Sequence, residues 1–442
     1  MQIPWTVKYK RTIATALIAI IILGATSIYY TISSPPKRPE AIFHYTETII
    51  IDNKGNMTID FGNLVTEAFL NLDWQKAHII NINKRYNISK DGDGNPILII
   101  EGPETLSPGE SYNVSIIWEI ESYSRFIPDV SVEGSGDIND IPSDLIANYT
   151  RDVPPWRSPP NIRLNTSNWE GTPYYNMSLQ ELASTLMGNK MNVLEILLED
   201  VKWITDHISY PSTPSSPKYP IETARRCEGD CDDQSNLLIA LLRLQGIPAF
   251  LMMGQVYLSR YANLTGTGMD GHLFYEGHYT MGHAWAMVYV PPWGWLPCDP
   301  VMAMKGYPPK RAIDDALVRY PITIVFRNVT GIGGAEASDY IGSSRNETER
   351  AKREGVYFKL IMEMKQLIMP IYEFILRSPI FVLYAEAICL TALIIIVGAH
   401  DRRRTLQPYL RKIYCPYCGM ENPYEAIYCG WCGRRIHRRG EG

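Results

Sequence analysis

Residues 227–299 constrain the fold of this chain more than any other segment, because three chemically matched residues are distributed along them. Cys231 precedes an amphipathic helical pattern, His283 lies in an alternating strand pattern, and Asp299 ends the next strand pattern. A thiol, an imidazole and a carboxylate form a Cys-His-Asp triad on any fold that brings them together. The sequence therefore predicts these three residues as candidate catalytic groups.

The pattern around Cys231 predicts that this residue opens a helix. Asp232 and Asp233 fall in the first turn, where negative charge complements the helix dipole, and Gly246 ends the run. A thiol at a helix N-terminus has a lowered pKa, whereas two neighbouring acids oppose the thiolate. We therefore expect an imidazolium at His283 to supply much of the stabilisation. The alternative is a buried, inert helix cysteine.

Four blocks of this segment carry a family resemblance, namely G-x-C-x-D-x-S, LLRLQGIPA, GHAWAMVYV and WLPCDP. Together they resemble the transglutaminase-like superfamily of papain-type folds over about residues 190–305. The resemblance implies an α+β fold and a domain over residues 179–335, in which the cysteine helix packs on an antiparallel sheet. It also implies Cys231 as nucleophile, His283 as base and later acid, and Asp299 as the orienting group. The family includes transglutaminases, cysteine peptidases, amidases and inactive members.

The sequence departs from the family pattern at residues 258–281, which lengthen the approach to His283. We expect this insert to be a polar loop that shapes the substrate cleft. A metal site within it is the less favoured alternative, and its candidate ligands are Asp270, His272, Glu276 and His278.

Two apolar segments, residues 12–32 and 379–399, are long enough to cross a bilayer, which takes about 20 residues. Basic clusters precede the first segment and follow the second, a pattern that favours both chain ends in the cytoplasm. The sequence predicts a two-pass cell-membrane protein with residues 1–11 and a basic tail inside and the main domains outside. A cleaved signal peptide is the alternative for the first segment.

The sequons support this topology independently. All of them fall between the two apolar segments, and together they predict a glycosylated outer surface. They are Asn56, Asn87, Asn113, Asn148, Asn165, Asn176, Asn263, Asn328 and Asn346.

The rest of the chain divides by its periodicity. Residues 41–125 alternate apolar and polar positions between turn signals, which predicts a β-sandwich. Residues 126–178 are rich in Pro, Ser, Asn and Gly and are typical of a linker or lead-in. Residues 346–377 are expected to form an amphipathic helix that leads into the second apolar segment.

Four cysteines near the C-terminus form two CxxC pairs, and a glycine follows each pair. Cys415, Cys418, Cys429 and Cys432 have the spacing that places four thiolates around one Zn²⁺. Residues 413–437 contain too little apolar surface for a core, so metal binding is expected to drive their folding. The segment resembles a small zinc ribbon of the kind common in archaeal chains, with a structural zinc.

Two further cysteines lie beside the candidate catalytic residues. Because an oxidising compartment favours pairing, we hypothesise a Cys227–Cys298 disulfide that leaves Cys231 reduced. The alternative is that Cys227 is a plain buried thiol.

These patterns predict a membrane-anchored, extracytoplasmic thiol enzyme that acts on amide bonds of surface proteins or peptides. Hydrolysis is favoured over transfer to a lysine amine, because nothing in the sequence marks an amine site. The expected partners are an extracellular protein or peptide substrate, the lipid bilayer and a cytoplasmic protein that binds the ribbon. No nucleic-acid partner is expected. The alternative function is a non-catalytic sensor or assembly scaffold that links an outer binding domain to the ribbon.

Overall fold

The computed structural model of the chain describes residues 10–32, 39–125, 127–211, 216–303, 305–319, 322–334, 338–367, 379–410, 412–424 and 426–436. The chain divides into two compact units. The larger unit is Arg38–Leu367, and the smaller unit combines Met1–Lys37 with Ile368–Gly442.

The helices of the described residues are, in chain order, α1 (Lys10–Ile32), α2 (Ser143–Tyr149), α3 (Leu179–Met187), α4 (Val193–His207), α5 (Pro220–Arg226), α6 (Cys231–Leu244), α7 (Arg311–Arg319), α8 (Tyr340–Glu354) and α9 (Pro379–Leu410). The first strands are β1 (Pro39–Asn53), β2 (Ile59–Asp60), β3 (Leu64–Glu67), β4 (Gln75–Ile82), β5 (Tyr86–Lys90), β6 (Pro96–Ile100), β7 (Thr105–Leu106) and β8 (Ser111–Tyr123). The later strands are β9 (Ala249–Tyr257), β10 (Leu264–Gly268), β11 (Leu273–His278), β12 (Thr280–Val290), β13 (Gly294–Cys298), β14 (Thr323–Val329), β15 (Val356–Leu367), β16 (Lys412–Tyr414) and β17 (Glu421–Pro423).

Six strands from three distant parts of the larger unit form one sheet in the order β10-β11-β15-β1-β8-β4. Strand β15 pairs antiparallel with β1, from Ile42 opposite Leu367 to Asn53 opposite Val356. The segment predicted as a β-sandwich is rich in strands, as expected. It supplies only β1, β4 and β8 to this sheet, however, and later residues supply β10, β11 and β15. The segment therefore shares its main sheet with the rest of the larger unit.

The prediction of an amphipathic helix over residues 346–377 is wrong for most of the described part. Helix α8 ends at Gly355, whose φ of 69° is a left-handed conformation that terminates helices. The following residues form β15, in which Met362 and Met364 face the core, 5% and 0% exposed. Residues 368–378 lie outside the described part of the chain.

The second main sheet has the order β13-β12-β9-β14, and α6 packs on it. The helix predicted to begin at Cys231 is present as α6, and α3, α4 and α6 each contribute fully buried leucines to one core. The segment at residues 126–178, predicted as a linker, also contributes to this core through Trp156, Leu164 and Trp169. This packing fixes the start of α6 relative to the strands.

Two side-chain amides, from Gln75 at the start of β4 and Asn95 just before β6, cover the outer edge of β14. The Gln75 amide donates to the Val325 carbonyl at 2.8 Å and accepts from the Val325 N–H at 2.7 Å. Asn95 makes the same pair of bonds to Asn328, both at 2.8 Å. These bonds satisfy backbone groups that an edge strand otherwise leaves unpaired.

In the smaller unit, both predicted transmembrane segments are helical. Helix α1 packs against α9, and the Thr26 hydroxyl donates to Glu386 Oε1 at 3.1 Å. Among the described residues, no helix meets the length and apolarity required to span a bilayer. The transmembrane assignment of residues 12–32 and 379–399 is therefore not confirmed.

Candidate active site

Cys231 is the first residue of α6, as the sequence predicts. The turn before it admits no side chain at Gly229, because a Cβ there would lie 2.7 Å from the Asp233 Cβ and 2.8 Å from the Thr223 Cγ2. The apolar face of α6 then packs on the core through Leu237, Leu238, Leu241 and Leu242, each 0% exposed. The helix start is thus held by packing on both sides of the thiol.

His283 and Asp299 are brought together by two neighbouring antiparallel strands. Strand β12 carries His283, and Asp299 directly follows β13, whose last residue Cys298 pairs with Ala286. The distance from His283 Nε2 to Asp299 Oδ2 is 2.6 Å. The Asp299 side chain is only 4% exposed, whereas that of His283 is 20% exposed. A buried carboxylate therefore orients an imidazole that remains accessible from the surface.

The Cys231 thiol and the His283 imidazole lie close enough for each to shift the pKa of the other. Because Nε2 of the imidazole contacts Asp299, Nδ1 is the nitrogen available to the thiol. The structure therefore brings together all three residues that the sequence singled out. Their catalytic role remains a prediction.

Opposing effects act on the two titrating groups of this pair. Burial raises the pKa of Cys231, and the nearby His283 imidazole lowers it without reversing the shift. Burial lowers the pKa of His283, but the Asp299 carboxylate outweighs this effect and holds that pKa well above its usual range. The His283 imidazole is therefore a stronger base than that of an ordinary histidine, and the Cys231 thiol depends on it for deprotonation.

Three carboxylates crowd the start of α6. One oxygen from each of Asp230, Asp232 and Asp233 lies within 4.8 Å of the others. Burial and the neighbouring Asp232 raise the pKa of Asp230 to about 9. Asp232 raises the pKa of Cys231, as expected from the sequence, but the second acid that raises it is Asp230 and not the expected Asp233.

Lys218 is a charged residue of this region that sequence reasoning missed. Its Nζ lies 2.7 Å from Asp233 Oδ2, and its backbone N–H donates to Asp233 Oδ1 at 2.7 Å. It follows a Pro- and Ser-rich stretch that has the composition of an ordinary loop. A lone lysine at the end of such a stretch gave no signal of burial.

A cavity of about 680 Å³ is lined by chain neighbours of Cys231 and Asp299 rather than by the three candidate residues themselves. Its wall includes Gln234 from the first turn of α6, and Pro300 and Val301, which directly follow Asp299. Tyr210, 56% exposed, forms part of the same wall. Burial and the nearby Cys231 raise the pKa of the Tyr210 hydroxyl, which places this side chain close to the thiol.

The insert at residues 258–281 forms β10 and β11 and extends the six-stranded sheet. Its candidate metal ligands are used elsewhere: His272 Nδ1 contacts the Val356 carbonyl, and His278 Nδ1 contacts Asn263, at 2.8 and 2.7 Å. Within the described residues, these side chains do not form a metal-binding group. Tyr275 of β11 lies close enough to Cys231 for the thiolate to raise its pKa, although burial raises it more.

The hypothesised Cys227–Cys298 disulfide is not formed. Both residues are free thiols. Cys227 caps α5 in a left-handed conformation with φ of 55°, and its Sγ faces the Ala224 carbonyl at 3.6 Å. Cys298 is 0% exposed within the core at the end of β13.

The four C-terminal cysteines form a compact cluster, with their sulfurs all within 4.8 Å of one another. The distance between Cys415 Sγ and Cys432 Sγ is 3.6 Å, and that between Cys418 Sγ and Cys429 Sγ is 3.5 Å. Tetrahedral Zn²⁺ with Zn–S bonds of about 2.3 Å separates its sulfurs by about 3.8 Å. The cluster therefore fits a metal of this size.

The two CxxC turns have matching backbone geometry. The N–H of Gly419 donates to the Cys415 carbonyl and that of Gly433 to the Cys429 carbonyl, both at 2.9 Å. Both glycines have a left-handed φ, 73° and 75°. The backbone N–H groups of Cys432 and Trp431 lower the pKa of Cys429 to about 6, which favours the thiolate that binds metal.

Residues 180–300 match the family model of the transglutaminase-like superfamily core, so this part of the chain is a transglutaminase-like domain. The matched range contains Cys231, His283 and Asp299 and agrees with the expected α+β core. A comparison with curated proteins found no match.

Two solved structures have a broad likeness to the chain. A candidate cysteine protease from Cytophaga hutchinsonii aligns with 15% identity and a TM-score of 0.44, covering 75% of this chain and 92% of that one. The periplasmic domain of TgpA from Pseudomonas aeruginosa aligns with 12% identity and a TM-score of 0.30, covering 62% and 93%. We infer no activity from likenesses at these TM-scores.

Proposed function

We propose that this protein is a thiol enzyme that cleaves or exchanges amide bonds through Cys231, His283 and Asp299. The observation that carries the proposal is the position of His283, which contacts Asp299 at 2.6 Å through Nε2 and is near enough to the Cys231 thiol to lower its pKa. A nucleophile, its base and an orienting carboxylate in this sequence of contacts define a catalytic triad. The transglutaminase-like domain at residues 180–300 supports the same reading.

In the proposed reaction, His283 Nδ1 takes the thiol proton as Cys231 Sγ attacks the carbonyl carbon of an amide. The C–N bond then breaks, and the imidazolium returns the proton to the leaving amine. The acyl group remains on Cys231 as a thioester. Water, deprotonated by His283, attacks the thioester and releases a carboxylic acid and the free thiol. A lysine amine in place of water gives transamidation.

The first turn of α6 supplies one stabilising contact for the negatively charged oxygen of this reaction. The backbone N–H groups at a helix N-terminus have no intrahelical acceptor, and that of Cys231 is adjacent to the attacking sulfur. The carboxylate of Asp232 lies in the same turn and opposes charge build-up. The reaction therefore depends on the neutralising charge of the imidazolium.

The proposal places this domain outside the cytoplasm. Its support is the exposure of most sequon asparagines on the larger unit, as a glycosylated surface requires. The exposed ones are Asn56, Asn87, Asn113, Asn165, Asn176, Asn263 and Asn346. The substrates would then be proteins or peptides at the outer face of the cell.

The second part of the proposal concerns the C-terminal cluster, in which Cys415, Cys418, Cys429 and Cys432 would hold one Zn²⁺. Four thiolates complete a tetrahedral coordination shell, so the ion would supply structural stability and no open position for chemistry. The sulfur spacing and the backbone donors to Cys429 support this assignment.

A non-catalytic sensor or scaffold is the second candidate function. It is favoured by the raised pKa of the Cys231 thiol, which burial and two neighbouring acids keep protonated. In this case the cavity beside Gln234 and Pro300 would bind a peptide without cleaving it.

Turnover of model amides by the full-length protein separates the two candidates. The enzyme proposal predicts release of ammonia or a peptide amine from glutamine-containing peptides by the wild-type protein and none by Cys231→Ala. Cys389→Ala, which changes an exposed cysteine in α9, is the matched control and should retain activity. Binding of the peptides without amine release by the wild type would support the scaffold instead.

A further inference from the structure

A buried ion pair lies directly behind the candidate nucleophile. The Lys218 and Asp233 side chains are only 4% and 1% exposed, and the Nζ–Oδ2 distance is 2.7 Å. Because charges lose most of their hydration when buried, such a pair persists only with close and well-directed contacts. The second Asp233 oxygen accepts the backbone N–H of Lys218 at 2.7 Å, so both oxygens have partners.

This pair is connected to the turn that presents Cys231. Asp233 Oδ2 also faces the backbone N–H of Asp230 at 3.3 Å, and Gly229 packs against the Asp233 side chain. Asp232 is held on the other side, where its Oδ2 accepts the Tyr340 hydroxyl at 2.7 Å. The three acids therefore have distinct environments, and only Asp233 contacts a lysine or arginine among the described residues.

The Lys218–Asp233 ion pair matters because several acids lie beside Cys231. Its acid neighbours Asp230 and Asp232 raise the pKa of the thiol, and a third uncompensated carboxylate in the same turn would add to that effect. Lys218 also lowers the pKa of Asp230, so its charge extends across the cluster. The nearby Arg345 is directed elsewhere, with its Nη2 2.5 Å from Glu222 Oε2.

The other titratable groups around the thiol do not replace this cation. His283 is committed to Asp299 and to the thiol itself. The remaining groups are the hydroxyls of three tyrosines on separate elements, which are Tyr210 after α4, Tyr275 on β11 and Tyr340 on α8.

We propose that Lys218 is a positioning residue for the nucleophile, which acts through Asp233 to offset the negative charge beside the Cys231 thiolate. The inference rests on the proposed function, because it assigns a role in preparing that nucleophile. It concerns the protonation of one thiol, however, and this property is measurable even in a protein that turns over no substrate.

The test is the pH dependence of Cys231 alkylation by iodoacetamide, measured by peptide mass spectrometry on the full-length protein. Lys218→Met removes the cation and should raise the pH midpoint of alkylation by about half a unit or more. Asp233→Asn removes the carboxylate, leaves the cation uncompensated and should lower the midpoint. Lys218→Arg keeps the charge and should retain the wild-type midpoint. Thermal unfolding of each variant reports whether it folds.

Opposite shifts in the Met and Asn variants support the proposal, since damage to the turn would move both midpoints in the same direction. Unchanged midpoints, or equal shifts in Lys218→Met and Lys218→Arg, overturn it. If Lys218→Met does not fold, Asp233→Asn decides alone: a lower midpoint supports the proposal, and an unchanged or higher one overturns it. If the variants show these shifts but the wild-type protein cleaves no amide, the proposed function is refuted and this inference stands.

Discussion

His283 Nε2 lies 2.6 Å from Asp299 Oδ2, which links a residue of β12 to the residue that directly follows β13. The short contact occupies Nε2 and leaves Nδ1 as the nitrogen available to Cys231. It also provides a negative charge that stabilises the imidazolium within a largely buried site. Two consequences follow for activity and for stability.

Replacing Asp299 by Asn should impair catalysis without removing the nucleophile. The amide preserves the size of the side chain but neither holds the required tautomer nor stabilises the imidazolium. We expect kcat for amide hydrolysis to fall by about 10²-fold or more. Asp314→Asn, on the surface of α7 with a 46% exposed side chain, is the control and should leave kcat unchanged. A similar loss in both variants would contradict the role of Asp299.

His283 should also make stability depend on pH. Burial lowers its pKa, but Asp299 raises it more, so the folded-state value lies well above that of the unfolded chain. The stabilisation from the imidazolium is therefore fully present below about pH 6.5 and is lost as the pH rises through the folded-state pKa. Urea unfolding across this range should show a difference between wild type and His283→Gln that shrinks with rising pH. A difference that grows with pH would contradict this account.

Glu47 provides a second test of pH-dependent stability, in which replacing the residue is expected to stabilise the protein. It lies on the core-facing side of β1, between Tyr45 and Ile49, and burial, followed by the charge of Glu67, raises its pKa to about 8. The folded protein thus binds this proton more tightly than the unfolded chain, and stability falls as the pH rises from about 4.5 to about 8. Glu47→Gln should stabilise the protein at pH 8 by about 1–3 kcal/mol and have little effect near pH 4.5.

Urea titrations at the two pH values measure this difference. Glu104→Gln, at an exposed position, is the matched control and should change neither value. Destabilisation by Glu47→Gln at pH 8 would show that the carboxylate is charged and paired in the folded protein.

The C-terminal cluster predicts one zinc ion per chain, measurable by plasma mass spectrometry of the purified protein. Cys429→Ser removes the ligand whose thiolate receives the strongest backbone support and should abolish metal binding. Cys389→Ser, which changes a cysteine outside the cluster, should retain the metal. Because the cysteines lie in a different compact unit, the unfolding of Arg38–Leu367 should be unaffected. Stoichiometric zinc in Cys429→Ser would contradict the ligand assignment.

Much of the candidate site was predictable from the sequence because its signals are local. Cys231 opens a helix with acids in the first turn, His283 lies on β12, and Asp299 directly follows the adjacent strand β13. Helical and strand periodicities therefore place all three residues in the correct elements. The two CxxC pairs were similarly predictable, since ligand spacing alone defines such a cluster.

The remaining features depend on contacts between distant residues. Residues 356–367 contain Leu, Met, Lys and Glu, which favour helices, yet pairing with β1 some 300 residues earlier makes them a strand. Lys218 shows the same limit on a smaller scale. Its position in a Pro- and Ser-rich loop predicts a solvated side chain, and only the fold reveals that Asp233 is within reach.

The central claim is that Cys231 is a nucleophile activated by His283. Intact-mass analysis after brief exposure to a thiol-directed peptide electrophile tests it most directly. We predict one adduct on the wild-type protein, mapped to Cys231, little adduct on His283→Gln in the same time and none at this position in Cys231→Ala. Equal labelling of wild type and Cys231→Ala, or an adduct confined to Cys227 or Cys389, would contradict the account.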